Sequence, residues 1–400
     1  MSRWPAVVLS SMALLAGASC SASDATPSDD GIDLGVVASN GTARFQIPDD
    51  ALGFTVLLSS DGERDRALEL APSIARLESG GAPFVVDNRF ATEATTIPGR
   101  FPSRGSTVTV GAPFDSRSVA GEWSLLVGTR PGRVRVELRR APAARFDGGV
   151  VSLAIFVPDG AKLGEGGRAV GLRDLESDPR LSRALDGYFE IVVRELALSR
   201  GTVTFEPAPA DTGESADVVF ARLPRRPGAI RVLLRDAQKS YYLGKSPVRG
   251  SWEIPEDGIE VVLAEKTSIG LATWVLAHET GHWLGLFHTS EVAFLGHHDF
   301  ASDTPQCASN ILPVENGKEC PDRSNLMFPA ADGRLEVSVL TDQQRSVVHG
   351  SPAYARKGTG IAGKSVAKRT MASATNQPFR AEAGAETFVR YPCGVSSKVP

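Results

Sequence analysis

The chain has 400 residues, of which 42% are hydrophobic, and its formal net charge is -4 at neutral pH. This length accommodates two domains with flanking segments, and the apolar content is sufficient for buried cores. A nearly balanced charge, with both signs interspersed, lacks the basic surplus expected of a protein that binds nucleic acid. The chain is therefore not expected to have a nucleic-acid partner.

Residues 1–20 have the features of an export signal. A positive start at Arg3 precedes an apolar run from Val7 to Ala18 that ends in small residues. This run is too short to span a bilayer as a helix. The protein is therefore predicted to be exported.

The end of the signal segment also resembles the cleavage site of a bacterial lipoprotein. Cys20 would then become the lipidated first residue and would anchor the protein to the cell envelope or outer membrane, as its sole membrane attachment. A larger aliphatic residue is usual where Gly17 stands, and a plain secretory peptide that releases the protein is the alternative. Residues 21–30 are rich in Ser, Asp and Ala, and a linker is predicted over residues 21–40.

Residues 41–145 are predicted to form an all-β sandwich. Short apolar runs alternate with clusters of Gly, Pro, Asp and Ser, and the stretch from Val134 to Leu138 alternates apolar and charged residues as a half-buried strand does. The run from Gly121 to Val127 is similar to strands of the jelly-roll accessory domains that accompany many secreted peptidases. No cluster of His, Cys or paired carboxylates occurs there, which favours a module without chemistry of its own.

Residues 148–350 are predicted to form an α/β domain. An apolar strand over residues 151–157 precedes a helix that opens at Asp178 and Pro179 and runs to about Ser199. Strands are then predicted at residues 202–205, 230–234 and 259–264, followed by a helix that starts near Thr267 or Ser268. This order is typical of layered α/β folds. The tail, residues 351–400, receives no structural assignment.

The most informative segment runs from His278 to His288 and has the sequence HETGHWLGLFH. Residues four apart lie one above the other on a helix, so His278 and His282 can reach the same metal ion. Glu279, one position further on, would face a water bound to that metal. A continuing helix would point His288 away from the shared face, so the helix must end first, and Gly285 can end it with a positive φ.

Three neutral imidazoles and one water are the ligands of a catalytic zinc ion. Zinc lowers the pKa of that water toward about 7, and Glu279 can then act as the general base when the water attacks a peptide carbonyl. The segment therefore predicts a zinc-dependent enzyme that hydrolyses peptide bonds. The alternative is a non-catalytic surface binding module that contains zinc for stability, which Glu279 disfavours because a structural site needs no general base.

Three cysteines follow Cys20 in the sequence. Export permits disulfides, and the short separation of Cys307 and Cys320 favours these two as a pair, with Cys393 free or paired elsewhere. Zinc binding by these cysteines is the alternative, although the chain has no Cys-x-x-Cys pair.

The segment from His278 to His288 resembles the extended zinc-binding motif of the metzincins at every fixed position, and residues 299–305 resemble the pappalysin-like branch of that family. The resemblance covers roughly residues 150–350. It implies a twisted mixed sheet, an active-site helix, a small C-terminal subdomain after Gly285, and an endopeptidase that binds an extended peptide or protein substrate along a sheet edge. It also identifies Met327 as the methionine of the turn beneath the zinc.

The resemblance further implies a calcium site near the Asp-Thr-Pro segment. Asp299, Asp303 and Thr304 could supply its oxygen ligands, and the alternative is that these side chains only brace the loop. Pro329 stands where several metzincins have a tyrosine. Stabilisation of the oxyanion would then fall to zinc and to donors not identified from the sequence.

Some pappalysin-like proteins use a cysteine upstream of the domain to keep the zinc site latent. The only cysteine upstream here is Cys20, so no such upstream device is expected. His349 has no partner in the sequence and is predicted to lie at the surface, and the protein is expected to be a monomer.

Overall fold

The residues described by this computed structural model include fourteen strands and four helices. The described residues are 31–59, 74–80, 82–84, 106–111, 118–141, 145–146, 148–160, 174, 177–236, 242–252, 255–263, 269–290, 299, 301–307, 319–329, 339–354 and 391–393. The predicted export signal, Cys20 and most of the tail lie outside them. The described chain is mostly β-sheet, and none of its helices is both long enough and apolar enough to cross a membrane.

Eight strands form two antiparallel four-stranded sheets in the N-terminal part, with the orders β1-β8-β3-β6 and β2-β7-β4-β5. Their bounds are Gly31–Val37 (β1), Thr42–Ile47 (β2), Ala51–Ser59 (β3), Ile74–Ser79 (β4), Ala82–Phe84 (β5), Ser106–Gly111 (β6), Gly121–Val127 (β7) and Gly132–Arg140 (β8). Both sheets contribute to one apolar core, in which the rings of Phe54 and Trp123 lie 4.8 Å apart. The two sheets therefore face each other across that core.

Strand β1 lies within the residues predicted to be a linker. It pairs with β8 over its length, and Ile32 and Val37 join the shared core. Pairing along β8 satisfies the backbone of these residues, and their apolar side chains are buried. Residues 31–37 of the predicted linker are therefore part of the N-terminal sheet.

The remaining six strands form one mixed sheet with the order β10-β9-β11-β13-β12-β14. Their bounds are Val150–Pro158 (β9), Ser199–Ala208 (β10), Ile230–Asp236 (β11), Tyr242–Lys245 (β12), Ile259–Leu263 (β13) and Tyr391–Cys393 (β14). Strands β10, β9, β11 and β13 run parallel, whereas β12 is antiparallel to β13 and parallel to β14. The sheet therefore changes direction at β12.

Four helices pack on these sheets: α1 (Pro179–Glu195), α2 (Ala216–Arg222), α3 (Ile269–Trp283) and α4 (Asp342–Gly350). Helix α1 begins where predicted, because Asp178 accepts a hydrogen bond from the N–H of Arg180 and Pro179 fills the first turn. It ends at Glu195 rather than near Ser199, because Ala197 has a φ of 51° that turns the chain into β10. Helix α2 was not predicted; its residue Phe220 packs with Phe156 against the sheet.

Helix α4 joins the two halves of the molecule through a glycine seam formed by Gly53, Gly111 and Gly350. A Cβ on Gly111 would lie 1.7 Å from the carbonyl oxygen of Ser346, and one on Gly53 would lie 2.5 Å from Cα of Gly350. The backbone of the N-terminal sheet is therefore in direct contact with the backbone of α4 along the seam. Only glycine allows so close an approach of the N-terminal sheet and α4.

His349, predicted at the surface, is instead half-buried beside the glycine seam. Its ring stacks on that of Phe146, with the centroids 3.8 Å apart. Burial lowers the pKa of His349. The prediction of a surface residue is wrong because residues distant in sequence cover this side of α4.

Candidate metal centre

Helix α3 lies in the interior of the molecule, with its polar residues as well buried as its apolar ones. His278, Glu279 and Thr280 have no solvent exposure. The hydroxyl of Thr280 lies 3.1 Å from that of Tyr188 on α1, and the ring of Trp274 stacks on His278 at 4.6 Å. Neighbours therefore enclose α3 and fix the orientation of its polar side chains.

The three histidines of the predicted site converge. The Nε2 atom of His288 lies 3.2 Å from Nε2 of His278 and 3.1 Å from Nε2 of His282. Tetrahedral zinc with Zn–N bonds of about 2.0–2.1 Å would place its ligand nitrogens about 3.3 Å apart. Within the described residues, these three form the one group of three or more His, Cys, Asp or Glu side chains placed to hold a metal ion.

The second nitrogen of two of these rings is held by a backbone carbonyl. Nδ1 of His278 lies 2.6 Å from the oxygen of Leu326, and Nδ1 of His282 lies 2.7 Å from the oxygen of Leu286. A carbonyl only accepts, so this pairing assigns the proton to Nδ1 and leaves a lone pair on each Nε2. Since Nε2 of His288 can donate to only one of them, the converging lone pairs suit a cation.

The turn after α3 brings His288 back to the other two histidines. Gly285 has a φ of 109°, and the N–H of Leu286 donates to the oxygen of Gly281 at 3.0 Å, which closes the helix end. The turn also touches the N-terminal sheet, because a Cβ on Gly285 would lie 2.6 Å from Oγ1 of Thr109 in β6. Glycine is thus required here both by φ and by the close neighbour.

Met327 lies directly beneath α3. A Cβ on Gly281 would stand 2.4 Å from the sulfur of Met327, so the turn can approach the helix only at this glycine. The N–H of Met327 donates to the side chain of Asn325 at 2.8 Å, and Asn325 in turn donates to Gln344 of α4 at 2.8 Å. This turn also carries the Leu326 carbonyl that orients His278. Sequence reasoning assigned a role to Met327 but none to Asn325 or Gln344.

Glu279 lies between α3 and strand β12. A Cβ on Gly244 of β12 would lie 2.7 Å from Oε1 of Glu279, so the carboxylate packs against the backbone of that strand. Glu279 is adjacent in sequence to the predicted ligand His278 and is completely buried. The predicted general base therefore lies against β12, the strand next to the β14 edge of the mixed sheet.

The residues suggested for calcium brace a loop against α4. Asp299 accepts hydrogen bonds from Thr304 at 3.2 Å and from Gln344 at 2.9 Å, and Asp303 accepts one from the N–H of Gln343 at 3.0 Å. Burial raises the pKa of Asp299 to about 8, against the opposing effect of its hydrogen bonds. The bracing role is thus observed, and calcium binding stays a prediction.

Cys307 and Cys320 form a disulfide, which excludes the alternative that these two cysteines bind zinc. The N–H of Cys307 donates to Oγ of Ser290 at 2.9 Å, and that hydroxyl lies 2.7 Å from Oδ2 of Asp322. The disulfide and these bonds link the chain just beyond His288 to the segment before the methionine turn. The contribution of Ser290 and Asp322 was missed, since nothing in their local sequence indicates a partner.

A short stretch of the chain is related to secreted metalloproteases. Fifty residues are 40% identical to an extracellular metalloprotease of Sordaria macrospora and 42% identical to one of Neurospora crassa. Each match covers 12% of this chain and 18% of the fungal protein, so the chain matches less than a fifth of the length of these relatives. No family model matches the chain.

Two solved structures resemble the chain weakly. Archaemetzincin of Methanopyrus kandleri matches with a TM-score of 0.24 and 14% identity over 52% of this chain and 91% of its own. A Bacillus subtilis protein matches with a TM-score of 0.16 and 13% identity over 49% of this chain and 46% of its own. Scores this low support no argument about fold or function. What the comparisons give is a partial resemblance to extracellular metalloproteases.

Proposed function

We propose that this protein is an exported zinc-dependent endopeptidase of the metzincin type, in its pappalysin-like branch. Zinc would be held by His278, His282 and His288, with Glu279 as the general base. The observation that carries the proposal is the convergence of three ring nitrogens at 3.1–3.2 Å, two of them in rings oriented by backbone carbonyls. When bound, a zinc ion supplies a Lewis acid that polarises a peptide carbonyl and lowers the pKa of water.

The protein's own groups have distinct roles in this reaction. His278 and His282 present their Nε2 atoms in fixed positions, because their Nδ1 protons are held by carbonyls. Glu279 takes a proton from water on its carboxylate and passes it to the leaving amine. Burial of Glu279 excludes bulk water from that carboxylate, so its proton exchanges with the reacting groups.

Three protein ligands, rather than four, favour a catalytic over a structural zinc site. Structural zinc sites are usually closed by four side chains, whereas catalytic sites leave one position for water or substrate. The group assembled among the described residues has three members, and a carboxylate follows the first of them in sequence. A zinc-stabilised surface module has no use for that buried carboxylate.

Export and the remaining parts of the proposal rest on separate observations. The relatives are named as extracellular, and the disulfide between Cys307 and Cys320 suits an oxidising compartment. Residues 1–20 would direct export, with Cys20 as a lipid anchor. The N-terminal sheets would be a jelly-roll-like accessory domain, and Asp299 with its loop would bind calcium.

The decisive experiment compares wild type with Glu279→Ala on a complex peptide library, with zinc content measured for both. Glu190→Ala is a matched control, since it removes an exposed glutamate from α1. We expect wild type and the control to cleave peptides, and Glu279→Ala to retain zinc but lose about 100- to 10,000-fold in rate. Equal cleavage by Glu279→Ala would refute the assigned base, and a wild-type protein that takes up no zinc would refute the metal site. Zinc uptake without any cleavage, both by wild type and by a variant that lacks residues 391–400, would favour the surface binding module.

A further inference from the structure

Strand β12 is where the mixed sheet reaches the metal centre. Its residue Gly244 packs against α3, because a Cβ there would lie 2.6 Å from Val275 and 2.7 Å from Glu279. Because Gly244 has no side chain, the backbone of β12 lies directly against the proposed general base at this residue. A chain that paired with β12 at this position would pass beside the reacting groups.

Each side of β12 is paired differently. On one side Gly244 and Lys245 pair antiparallel with Val261 and Glu260 of β13. On the other side β14 pairs in parallel, with Tyr391 opposite Tyr242 and Cys393 opposite Gly244. The last strand of the described chain thus occupies the outer side of β12 at the residue that touches Glu279.

An extended peptide meets its backbone hydrogen bonds most simply by adding a strand to a sheet edge. In the order β10-β9-β11-β13-β12-β14, removal of β14 would make β12 the edge strand nearest the metal centre. A substrate peptide and β14 would then compete for the same N–H and C=O groups. Only one of them can be paired with β12 at a time.

The pairing of β14 is suited to displacement. The strand has only three residues, and only Tyr391 and Cys393 are paired with residues of β12. Parallel pairing is also slightly less stable per residue than antiparallel pairing. Because β14 belongs to the same chain as β12, it nevertheless competes at a high effective concentration.

We propose that the segment Tyr391–Cys393 is an internal competitor that occupies the substrate-binding edge of β12 and keeps the peptidase in a low-activity form until it is displaced or removed. This inference rests on the proposed function and adds its regulation. It assigns a role to the C-terminal tail, for which the sequence alone gave none.

The test removes β14 and leaves the rest of the chain intact. Deletion of residues 391–400 is compared with a control deletion of residues 394–400, which keeps β14. As an internal competitor, β14 has an effective concentration of about 1 mM at β12, and we assume a Kd of about 0.1 mM for its pairing with β12. These values predict that kcat/KM is roughly tenfold higher in the first deletion and unchanged in the control. Equal activity of wild type and both deletions would overturn the inference while leaving the proposed function standing.

Two substitutions distinguish strand pairing from an effect of the thiol. Cys393→Pro removes the N–H opposite Gly244 and should activate, whereas Cys393→Ser keeps the backbone and should leave the activity low. Activation by Cys393→Ser to the level of the deletion would assign the inhibition to the sulfur and overturn competition by the strand.

Two readouts do not depend on catalysis. Deletion of residues 391–400 should increase hydrogen exchange at the backbone amides of residues 242–245, and a labelled peptide with the sequence of residues 388–396 should bind the deletion variant but not the full chain. Unchanged exchange together with no peptide binding would overturn the inference. If the zinc-loaded deletion variant shows increased exchange but cleaves nothing, the proposed function fails and the pairing stands.

Discussion

The N-terminal sheets and the surroundings of α3 both bury apolar side chains, but α3 buries a run of polar side chains as well. The shared core of the sheets consists of apolar residues, with Phe54 at its centre between Phe45 at 5.8 Å and Trp123 at 4.8 Å. Helix α3 instead buries three consecutive polar residues, His278 to Thr280, without solvent exposure. Burial of apolar surface is favourable by itself, whereas a buried polar group needs a partner.

The two regions should therefore respond differently to a bound metal ion. The apolar core of the sheets should contribute the same free energy of unfolding whether or not a metal is bound. The metal centre should gain stability only when a cation sits among the three ring nitrogens. The following experiments vary one region and measure the other.

The largest expected effect is the loss of a core side chain from the sheets. Trp123 is completely buried, and Trp123→Ala should reduce the free energy of unfolding by roughly 3–5 kcal/mol. Denaturant unfolding with and without zinc should show the same stabilisation by zinc as in wild type. Val36→Ala, at a residue that is 50% exposed, serves as the control and should change little. A zinc affinity that falls along with stability would show that the two regions are coupled.

Loss of one metal ligand should have the next largest effect. At a free zinc concentration 100 times the Kd, zinc should stabilise wild type by about 2.7 kcal/mol, and His288→Ala should lose this increment. Changes to residues around a metal site cost 10- to 100-fold in affinity, so removal of a direct ligand should cost more than about 100-fold. Competition with a chromophoric chelator measures this. A variant that binds zinc as tightly as wild type would exclude His288 from the site.

A smaller effect is expected from crowding the methionine turn. In Gly281→Ala the new methyl group would meet the sulfur of Met327, and overpacking of this kind costs about 1–3 kcal/mol. Thermal unfolding of Gly281→Ala, Met327→Ala and the double variant forms a cycle that isolates the contact. Met327→Ala should relieve the cost of the alanine at residue 281. Additive losses would contradict the proposed contact.

The smallest effect concerns pH and His349. Burial lowers the pKa of His349 in the folded protein relative to its usual value of 6.5, so the unfolded chain takes up the proton first. This contribution to stability is therefore complete above about pH 6.5 and is lost as the pH falls below it. His349→Gln should weaken the decline of Tm between pH 7.5 and 5.5. An identical decline in both proteins would show that His349 does not titrate differently on folding.

The parts of the structure that sequence reasoning reached are those encoded within a few residues. The spacing of His278 and His282 fixes a shared helix face, and the need for His288 to return fixes a turn at Gly285. Both are local, and the start of α1 at Asp178 is local for the same reason.

The parts that sequence reasoning missed depend on residues far apart in the chain. The carbonyls of Leu286 and Leu326 have no distinguishing side chain, although they orient two histidines. Burial of His349 depends on Phe146, and the placement of β14 depends on β12, some 150 residues earlier. Helix α2 has seven residues, too few for a helical period to be apparent.

The glycine seam limits how the two halves can be exchanged between proteins. Any side chain at residue 53 or 111 would push the N-terminal sheet off α4, and α4 also anchors Asn325 of the methionine turn through Gln344. An N-terminal sheet taken from another protein would therefore need glycine at both positions to pack on α4. The N-terminal sheets are therefore matched to this particular helix, so a chimera made by cutting near residue 148 should fold poorly unless both glycines are retained.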